Sequence, residues 1–223
     1  MAPRLRVFFR AQARRVVQRY AEAEGVELKS VGPGDLFPPV AGEDTLLSRI
    51  VLPYLIDQTI ESGALTAQLV GVAPLVRESP ELTALMAQMG TRIRGINDET
   101  LRAVQAVLRV AAERGYTAYQ IANGVEGDGF RGIRAVVEET YKGRADTIAR
   151  TELGTASQRA AHDRYRAADV VEVRILDGTE CGWLYHDDPD LANGSVRTLR
   201  EAEEHPLAHP NCLRVTVPIV GRR

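Results

Sequence analysis

Hydrophobic residues recur at helical spacing along most of the chain, beginning with its first segment. There the apolar positions leave six arginines on the remaining faces, which predicts an amphipathic basic helix to about Glu24 that ends at Gly25. The stretch from Ser30 to Gly42 is rich in proline and glycine, so it indicates an extended linker. We therefore expect residues 1–29 to form a basic N-terminal arm and residues 30–43 to form a Pro/Gly linker. The apolar positions of the arm helix are Leu5, Phe8, Phe9, Val16 and Tyr20.

Residues 44–143 are expected to form a helical body. Asp44 or Thr45 can cap its first helix, in which Pro53 must start, kink or break the helical run. From Glu81 onward the spacing predicts two successive helices, with an interruption near Gly95.

The end of this body carries clearer helix boundaries. Asn97 and Asp98 are of the residue types that cap a helix, and they precede the second of the two helices. Thr117 with Gln120 forms a capping-box pattern that opens a short helix. The glycine-rich residues 126–132 then connect it to a further helix through Ile133 and Tyr141.

The last segment, 144–223, combines a long helix with two strands. A helix is predicted over 144–169, and its small-residue face permits close approach of a neighbouring helix. The period then changes to two, which predicts two strands that pair antiparallel, with 177–212 as the loop between them. The fold class is therefore α+β, a predominantly helical body with a small C-terminal antiparallel β element that encloses a long loop containing cysteine and histidine. The apolar strand positions are Val171, Val173 and Ile175, and then Leu213, Val215, Val217 and Ile219.

Charge and composition narrow the function classes. The 223 residues contain 28 basic and 30 acidic side chains, a net charge of −2, so any contact with nucleic acid must come from a local patch. Such a patch is offered by the arm, whose arginines are candidates for contact with an acidic partner or with DNA, although they also fit a merely solvated helix face. The longest apolar stretch, Ile50 to Ile56, is too short to span a membrane. The candidate arginines are Arg4, Arg6, Arg10, Arg14, Arg15 and Arg19.

Both cysteines and three of the four histidines lie between the two predicted strands. Three interpretations stand: a zinc site, a structural proximity of Cys181 and Cys212 without metal, and unrelated cysteines. The spacing matches no strong zinc signature, so proximity without metal is favoured, with zinc through Cys181, His209 and Cys212 as the weaker alternative. The histidines of this region are His186, His205 and His209.

An enzyme is the competing class, in the form of a metal-dependent nuclease that uses His205, His209 and Cys212. Pro206 and Pro210 argue against it, because a proline directly after each histidine forces an extended backbone there. The remaining histidine, His162, lies in the middle of the long helix beside charged residues and is expected to be solvated.

Taken together, two motifs resemble the phage head-morphogenesis family, the Mu F-like minor capsid proteins. The first is a helix motif of the form Arg-Ala…Ile-Ala-Arg-Thr-Glu. The second combines an aspartate-to-cysteine stretch, which reads Asp-Gly-Thr-Glu-Cys in this chain, with a later His-Pro-x-Cys stretch. The resemblance covers roughly residues 95–220, and the order of the motifs is more specific than either alone. The matching positions are Arg144, Ala145, Ile148, Ala149, Arg150, Thr151, Glu152, Asp177, Cys181, His209, Pro210, Asn211 and Cys212.

The chain departs from this family at two cysteine positions. Many members carry Cys-x-x-Cys and Cys-Arg-Cys, whereas Leu184 and Arg214 stand here in place of the second cysteines. Four-cysteine zinc ligation therefore does not carry over.

The resemblance implies a non-enzymatic structural protein without a cofactor. It would lie in the virion, inside the head of a tailed phage, after assembly in the host cytoplasm. There it would bind the portal protein and act in head assembly and in DNA packaging or ejection. Major capsid protein, scaffolding protein and packaged double-stranded DNA are further implied contacts, and a membrane is not.

Within the helix motif, Arg150 and Glu152 are two residues apart and so lie on different helix faces. We expect them to fix the 144–168 helix to the C-terminal β element, and the alternative is a pair of exposed charges.

Overall fold

The computed structural model describes residues 1–22, 39–177 and 192–219, which are mostly helical and include one small antiparallel sheet. The α+β class is thereby confirmed, while the greater part of the Cys/His loop lies outside the described residues. The described helices are α1 (Ala2–Glu22), α2 (Val40–Val70), α3 (Pro80–Arg114), α4 (Ala118–Asn123), α5 (Gly132–Ala167) and α6 (Leu199–Glu204). The described strands are β1 (Glu172–Leu176), β2 (Val196–Thr198) and β3 (Val215–Pro218).

The chain divides into two compact units. Unit 1 consists of Met1–Val51 and Gly90–Ala145, and unit 2 consists of Leu52–Met89 and Asp146–Arg223. This division differs from the four consecutive segments that the sequence suggested, because α2, α3 and α5 each contribute residues to both units.

Helix α1 is confirmed as amphipathic and basic, but in the structure it is an integral part of unit 1 rather than an arm. Leu5, Phe9 and Val16 are almost completely buried, and α1 packs against α4. Burial of this apolar stripe is favourable by about 25 cal/mol for each Å² removed from water, which a detached helix would forgo. The last residues of the expected linker, 40–43, are helical and belong to α2.

Helices α2, α3 and α5 are longer than the sequence pattern predicted. Pro53 lies inside α2 without ending it, because Val51 and Leu55 on either side are fully buried and hold the helix in place. The two helices predicted after Glu81 are one helix, α3, in which Asn97 is a buried interior residue and not a cap.

Helix α5 likewise joins two predicted helices into one of 36 residues. Its small-residue face is confirmed, since Ala145, Ala149, Ala156 and Ala160 are buried. Within unit 2 this helix bonds to α2 through the hydroxyls of Ser62 and Ser157, 2.8 Å apart.

The connection between α4 and α5 is a tight glycine-rich turn. The predicted capping box of Thr117 and Gln120 is present at the start of α4. After it, Gly124 and Gly132 both have positive φ, and a Cβ on Gly132 would lie 2.3 Å from the backbone nitrogen of Gly124. Only glycine fits at that approach, so these residues act as a connector, as expected.

The sheet has the order β2-β1-β3, with both pairings antiparallel. The predicted pairing of the first and last strands is confirmed by the register of Ile175 with Thr216. The connection between them also contains β2 and α6, so it is not a simple loop. The buried sheet face packs with α5 and α6 in one apolar cluster that includes Tyr165, Val173, Ile175, Leu199 and Ala202.

The apolar pattern of β3 indicates that Val215 and Val217 face the core, but the structure buries the opposite face of this strand. Arg214 and Thr216 are buried, whereas Val215 and Val217 are exposed. The inward polar groups have partners in α5 and at the end of β1, and these partners remove the cost that burial would otherwise impose.

Candidate functional site

The arginine-bearing face of α1 lies in unit 1. Arg4, Arg6, Arg10 and Arg14 are exposed, while Arg15 and Arg19 are partly buried. Arg6, Arg10 and Arg14 follow one another at four-residue spacing, so they form a stripe with a rise of about 6 Å per step along one helix face. We call these three residues the arginine stripe.

Arg15 serves the packing of unit 1 instead. Its Nε donates to Oε1 of Glu43 at 2.8 Å and its Nη2 donates to Oε2 at 2.6 Å. Glu43 is buried, and its second partner is Gln12, whose Nε2 lies 3.0 Å from Oε2 of Glu43 and 2.9 Å from Oδ1 of Asn97. The Nδ2 of Asn97 donates to Asp44 at 2.7 Å. These bonds fix α1, α2 and α3 relative to one another, because breaking them leaves buried charge without a partner.

The first residue of the helix motif, Arg144, also belongs to unit 1. Its guanidinium donates to the carbonyl of Ile96 at 2.9 Å and forms an ion pair with Glu99, both in α3. Arg144 therefore ties α5 to α3.

The second half of the helix motif contacts the His-Pro-Asn-Cys segment in unit 2. The backbone N–H of Asn211 donates to Oγ1 of Thr151 at 3.0 Å, and Nδ2 of Asn211 donates to Oγ1 of Thr147 at 3.1 Å. Asn211 has φ of 65°, a left-handed conformation that asparagine tolerates better than most residues. The structure thus brings together the two motifs that are separated by about 60 residues in sequence.

The expected anchors of this helix differ from the observed ones. Arg150 is exposed, so the hypothesis that it fixes α5 to the β element is wrong. Glu152 is buried, as an anchoring residue would be, and Thr151 makes the observed contact.

Asp177 and Arg214 form a buried ion pair at the adjoining ends of β1 and β3. The Nε and Nη2 of Arg214 donate to the two carboxylate oxygens of Asp177 at 2.6 and 2.8 Å, and Nη1 donates to the carbonyl of His205 at 3.0 Å. Both side chains are almost wholly excluded from solvent. Arg214, which stands where the resembling family has a cysteine, therefore binds another residue of the same motif set.

Beneath β3 lies a chain of buried hydrogen bonds that starts at Gln158 of α5. Its Nε2 donates to the carbonyl of Arg214 at 2.9 Å, and its Oε1 accepts from Oγ1 of Thr216 at 2.9 Å. The hydroxyl of Tyr165 donates to the carbonyl of Thr216 at 2.8 Å, and burial raises the pKa of Tyr165 to about 12. This phenol therefore stays protonated and is a permanent donor.

His162 completes this chain, and the expectation that it is solvated is wrong. It is buried, with Nε2 placed 3.1 Å from Oγ1 of Thr216. The proton of Thr216 is already directed to Gln158, so His162 must donate from Nε2. Its Nδ1 carries a bare lone pair to which no described residue donates a hydrogen bond. Burial, together with the positive charges of Arg166 and Arg159, lowers the pKa of His162 to about 4.

The candidate metal ligands are only partly described. His205 is exposed, and His209 is buried with Nδ1 2.7 Å from the carbonyl oxygen of Pro210. Cys212 is buried and forms no disulfide with a described residue. Within residues 1–22, 39–177 and 192–219, no three histidine, cysteine, aspartate or glutamate side chains are grouped so as to hold a metal ion. Cys181 and His186 lie outside the described residues.

The central polar residues of unit 2 were not indicated by the sequence pattern, namely Gln158, His162, Tyr165, Arg214 and Thr216. One signal was present in the sequence, because Gln158, His162 and Tyr165 follow at intervals of four and three and so share one helix face. The polar positions of β3 carried no comparable signal.

Comparison with protein-family models, with curated protein sequences and with solved structures finds no match for this chain. No helix in the described part of the chain is both long enough and apolar enough to cross a membrane.

Proposed function

We propose that this chain is a structural minor head protein of a tailed phage, bound inside the capsid at the portal vertex. In this role it acts without catalysis in head assembly and in DNA packaging or ejection. Its proposed partners are the portal protein, then major capsid or scaffolding protein, and packaged double-stranded DNA.

The contact of Asn211 with Thr151 and Thr147 is the observation that supports this proposal most. The resemblance rests on two motifs in a fixed order, and motifs that belong to one domain are expected to lie close together in space. Their direct hydrogen bonding at 3.0 and 3.1 Å is what a common domain predicts, whereas a chance match of two short motifs predicts no contact.

The arginine stripe of Arg6, Arg10 and Arg14 is the proposed contact with DNA or with an acidic partner surface. If these arginines neutralise phosphates, the affinity of the chain for DNA falls as the salt concentration rises. Because α1 is part of the core of unit 1, deletion of the helix would unfold that unit. The appropriate test variant is therefore Arg10→Glu with Arg14→Glu, both at exposed positions.

Site-specific photocrosslinking on intact phage particles tests the location. The sequence contains only two lysines, Lys29 and Lys142, so amine-reactive crosslinkers would sample it poorly. A photoreactive amino acid is better placed at Val7, which is 65% exposed beside the arginine stripe. Tyr119 of α4, 75% exposed in the same unit, is the matched control position.

We expect the probe at Val7 to crosslink to portal subunits in particles and the probe at Tyr119 to give less of that product. Absence of the protein from purified particles would overturn the proposal. A soluble protein that contains stoichiometric zinc and cuts DNA would instead support the nuclease alternative, for which the described residues provide no ligand group.

A further inference from the structure

The outer face of the three-stranded sheet is apolar with two charges at its centre. The register places Val196, Arg174 and Val217 in one row across the strands and Thr198 and Glu172 in the next row, beside Ile219. Leu176 and Val215 form the third row. We call these eight residues the outer sheet face. Its apolar side chains are between 38% exposed at Val217 and 49% exposed at Val215.

Several backbone groups at the two open edges of this sheet already have partners, which favours the face over the edges as the surface for a further partner. Ile219, directly after β3, directs its N–H toward β1. Because backbone groups alternate in direction along a strand, the carbonyls of Arg214 and Thr216 point away from β1. There they accept hydrogen bonds from Gln158 and Tyr165. Pro218 has no N–H to offer, and at the opposite edge the N–H of Thr198 donates to Glu201. These bonds and the proline disfavour addition of a further strand at either edge.

The two central charges make the face complementary to itself. Glu172 and Arg174 point to the same side of β1, two residues apart, and the described residues offer neither side chain a hydrogen bond or ion pair. We propose that the outer sheet face binds a second copy of this chain in a two-fold symmetric dimer. This inference does not depend on the proposed head-protein function.

Charge pairing selects one arrangement of the two copies. The two sheets can stack face to face about a two-fold axis that lies between them, perpendicular to the strands and level with Val173. This axis places Glu172 of each copy opposite Arg174 of the other. The same axis places Val217 of each copy opposite Ile219 of the other. An axis along β1 would instead oppose Glu172 with Glu172, which is unfavourable. Antiparallel stacking is therefore the arrangement that the residues specify.

The face is small, since three short strands cover less area than a permanent dimer interface requires. We therefore expect a reversible dimer, with dissociation in the micromolar range or weaker. Sedimentation velocity on the full chain from about 1 to about 500 μM should show the transition from monomer to dimer.

Charge reversal tests the pairing directly. Glu172→Arg gives the face two positive charges and Arg174→Glu gives it two negative charges, so each variant alone should dimerise at least about tenfold more weakly. The double variant Glu172→Arg with Arg174→Glu restores complementarity and should dimerise as the wild type does. Arg102→Glu, an exposed reversal on α3, is the matched control and should have no effect.

An equimolar mixture of the two single variants gives the decisive result. Each variant alone is expected to show the weakened self-association given above, whereas the mixture should form a heterodimer about as readily as the wild type dimerises. The positive face of one variant fits the negative face of the other. Val217→Lys should weaken association in every combination. A wild-type chain that stays monomeric throughout the range would overturn the proposal, and so would single variants that dimerise as strongly as the wild type.

Discussion

Protonation of His162 should destabilise unit 2, and its geometry sets the direction of this effect. Nε2 donates to Thr216, and no described residue offers an acceptor for the N–H that a second proton would create at the buried Nδ1. The folded state therefore disfavours the imidazolium, whose pKa falls from 6.5 to about 4. As the pH falls, the unfolded chain binds the proton at a higher pH than the folded chain does. The contribution of His162 to stability is therefore fully present above pH 6.5 and is lost as the pH falls toward 4.

The size of the effect follows from that interval. At about 1.4 kcal/mol per pH unit, the full loss is about 3 kcal/mol, and about 2 kcal/mol of it falls between pH 7 and pH 5. His162→Gln removes the titration and retains a donor near the position of Nε2. We expect this variant to lie within about 1 kcal/mol of the wild type at pH 7, because the bond to Thr216 is replaced.

The measurement is urea unfolding followed by circular dichroism at a series of pH values, with both proteins compared at each pH. The difference between the two curves isolates His162 from carboxylates that titrate in the same range. At pH 5 the variant should have lost about 2 kcal/mol less than the wild type. His205→Gln, at an exposed position, should follow the wild type. Parallel curves for the wild type and His162→Gln would refute the reasoning.

Three further predictions concern contacts inside one unit or the other, each measured as a change in the free energy of unfolding. Asp177→Ala should cost about 3–5 kcal/mol because it leaves Arg214 buried and unpaired. Asp177→Leu combined with Arg214→Met should cost less than the sum of the two single changes, and additive costs would contradict the assigned ion pair. Thr151→Val should cost about 1 kcal/mol because it removes the acceptor for the Asn211 N–H, whereas Arg150→Ala should cost less than about 0.5 kcal/mol. A larger cost for Arg150→Ala than for Thr151→Val would mean that Arg150 is the anchor. Phe9→Ala should cost about 3–5 kcal/mol and Val7→Ala less than about 0.5 kcal/mol, and equal small effects would mean that α1 is a separate arm after all.

Local signals in the sequence were reliable where the interacting groups are neighbours along the chain. The capping box of Thr117 and Gln120 involves residues three apart, so it depends on nothing distant. The amphipathic pattern of α1 and the alternation of Val173 and Ile175 in β1 likewise follow from the geometry of a single element.

Helix ends were less predictable because distant partners changed the role of individual residues. Asn97 has the chemistry of a cap, but Gln12 and Asp44 supply partners that satisfy its side chain inside α3. Pro53 has the chemistry of a helix breaker, yet the burial of Val51 and Leu55 maintains α2 around it. In both cases packing outweighs a local preference of about 1 to 3 kcal/mol.

The candidate site shows the same division between local pattern and distant contact. The order of the two motifs, the six arginines of α1 and the α+β class could be recognised from the sequence itself. The contact of Thr151 with Asn211 and the inward face of β3 could not, because alternation specifies two faces of a strand without saying which one is buried. That choice was made by Gln158, His162, Tyr165 and Asp177, which offer Arg214 and Thr216 enough hydrogen bonds to offset the cost of burying them. The sequence by itself thus determined the elements and their periodicity, while the tertiary structure decided which polar side chains are buried. Their partners are distant in sequence, 58 residues for Thr216 and Gln158 and 85 for Gln12 and Asn97.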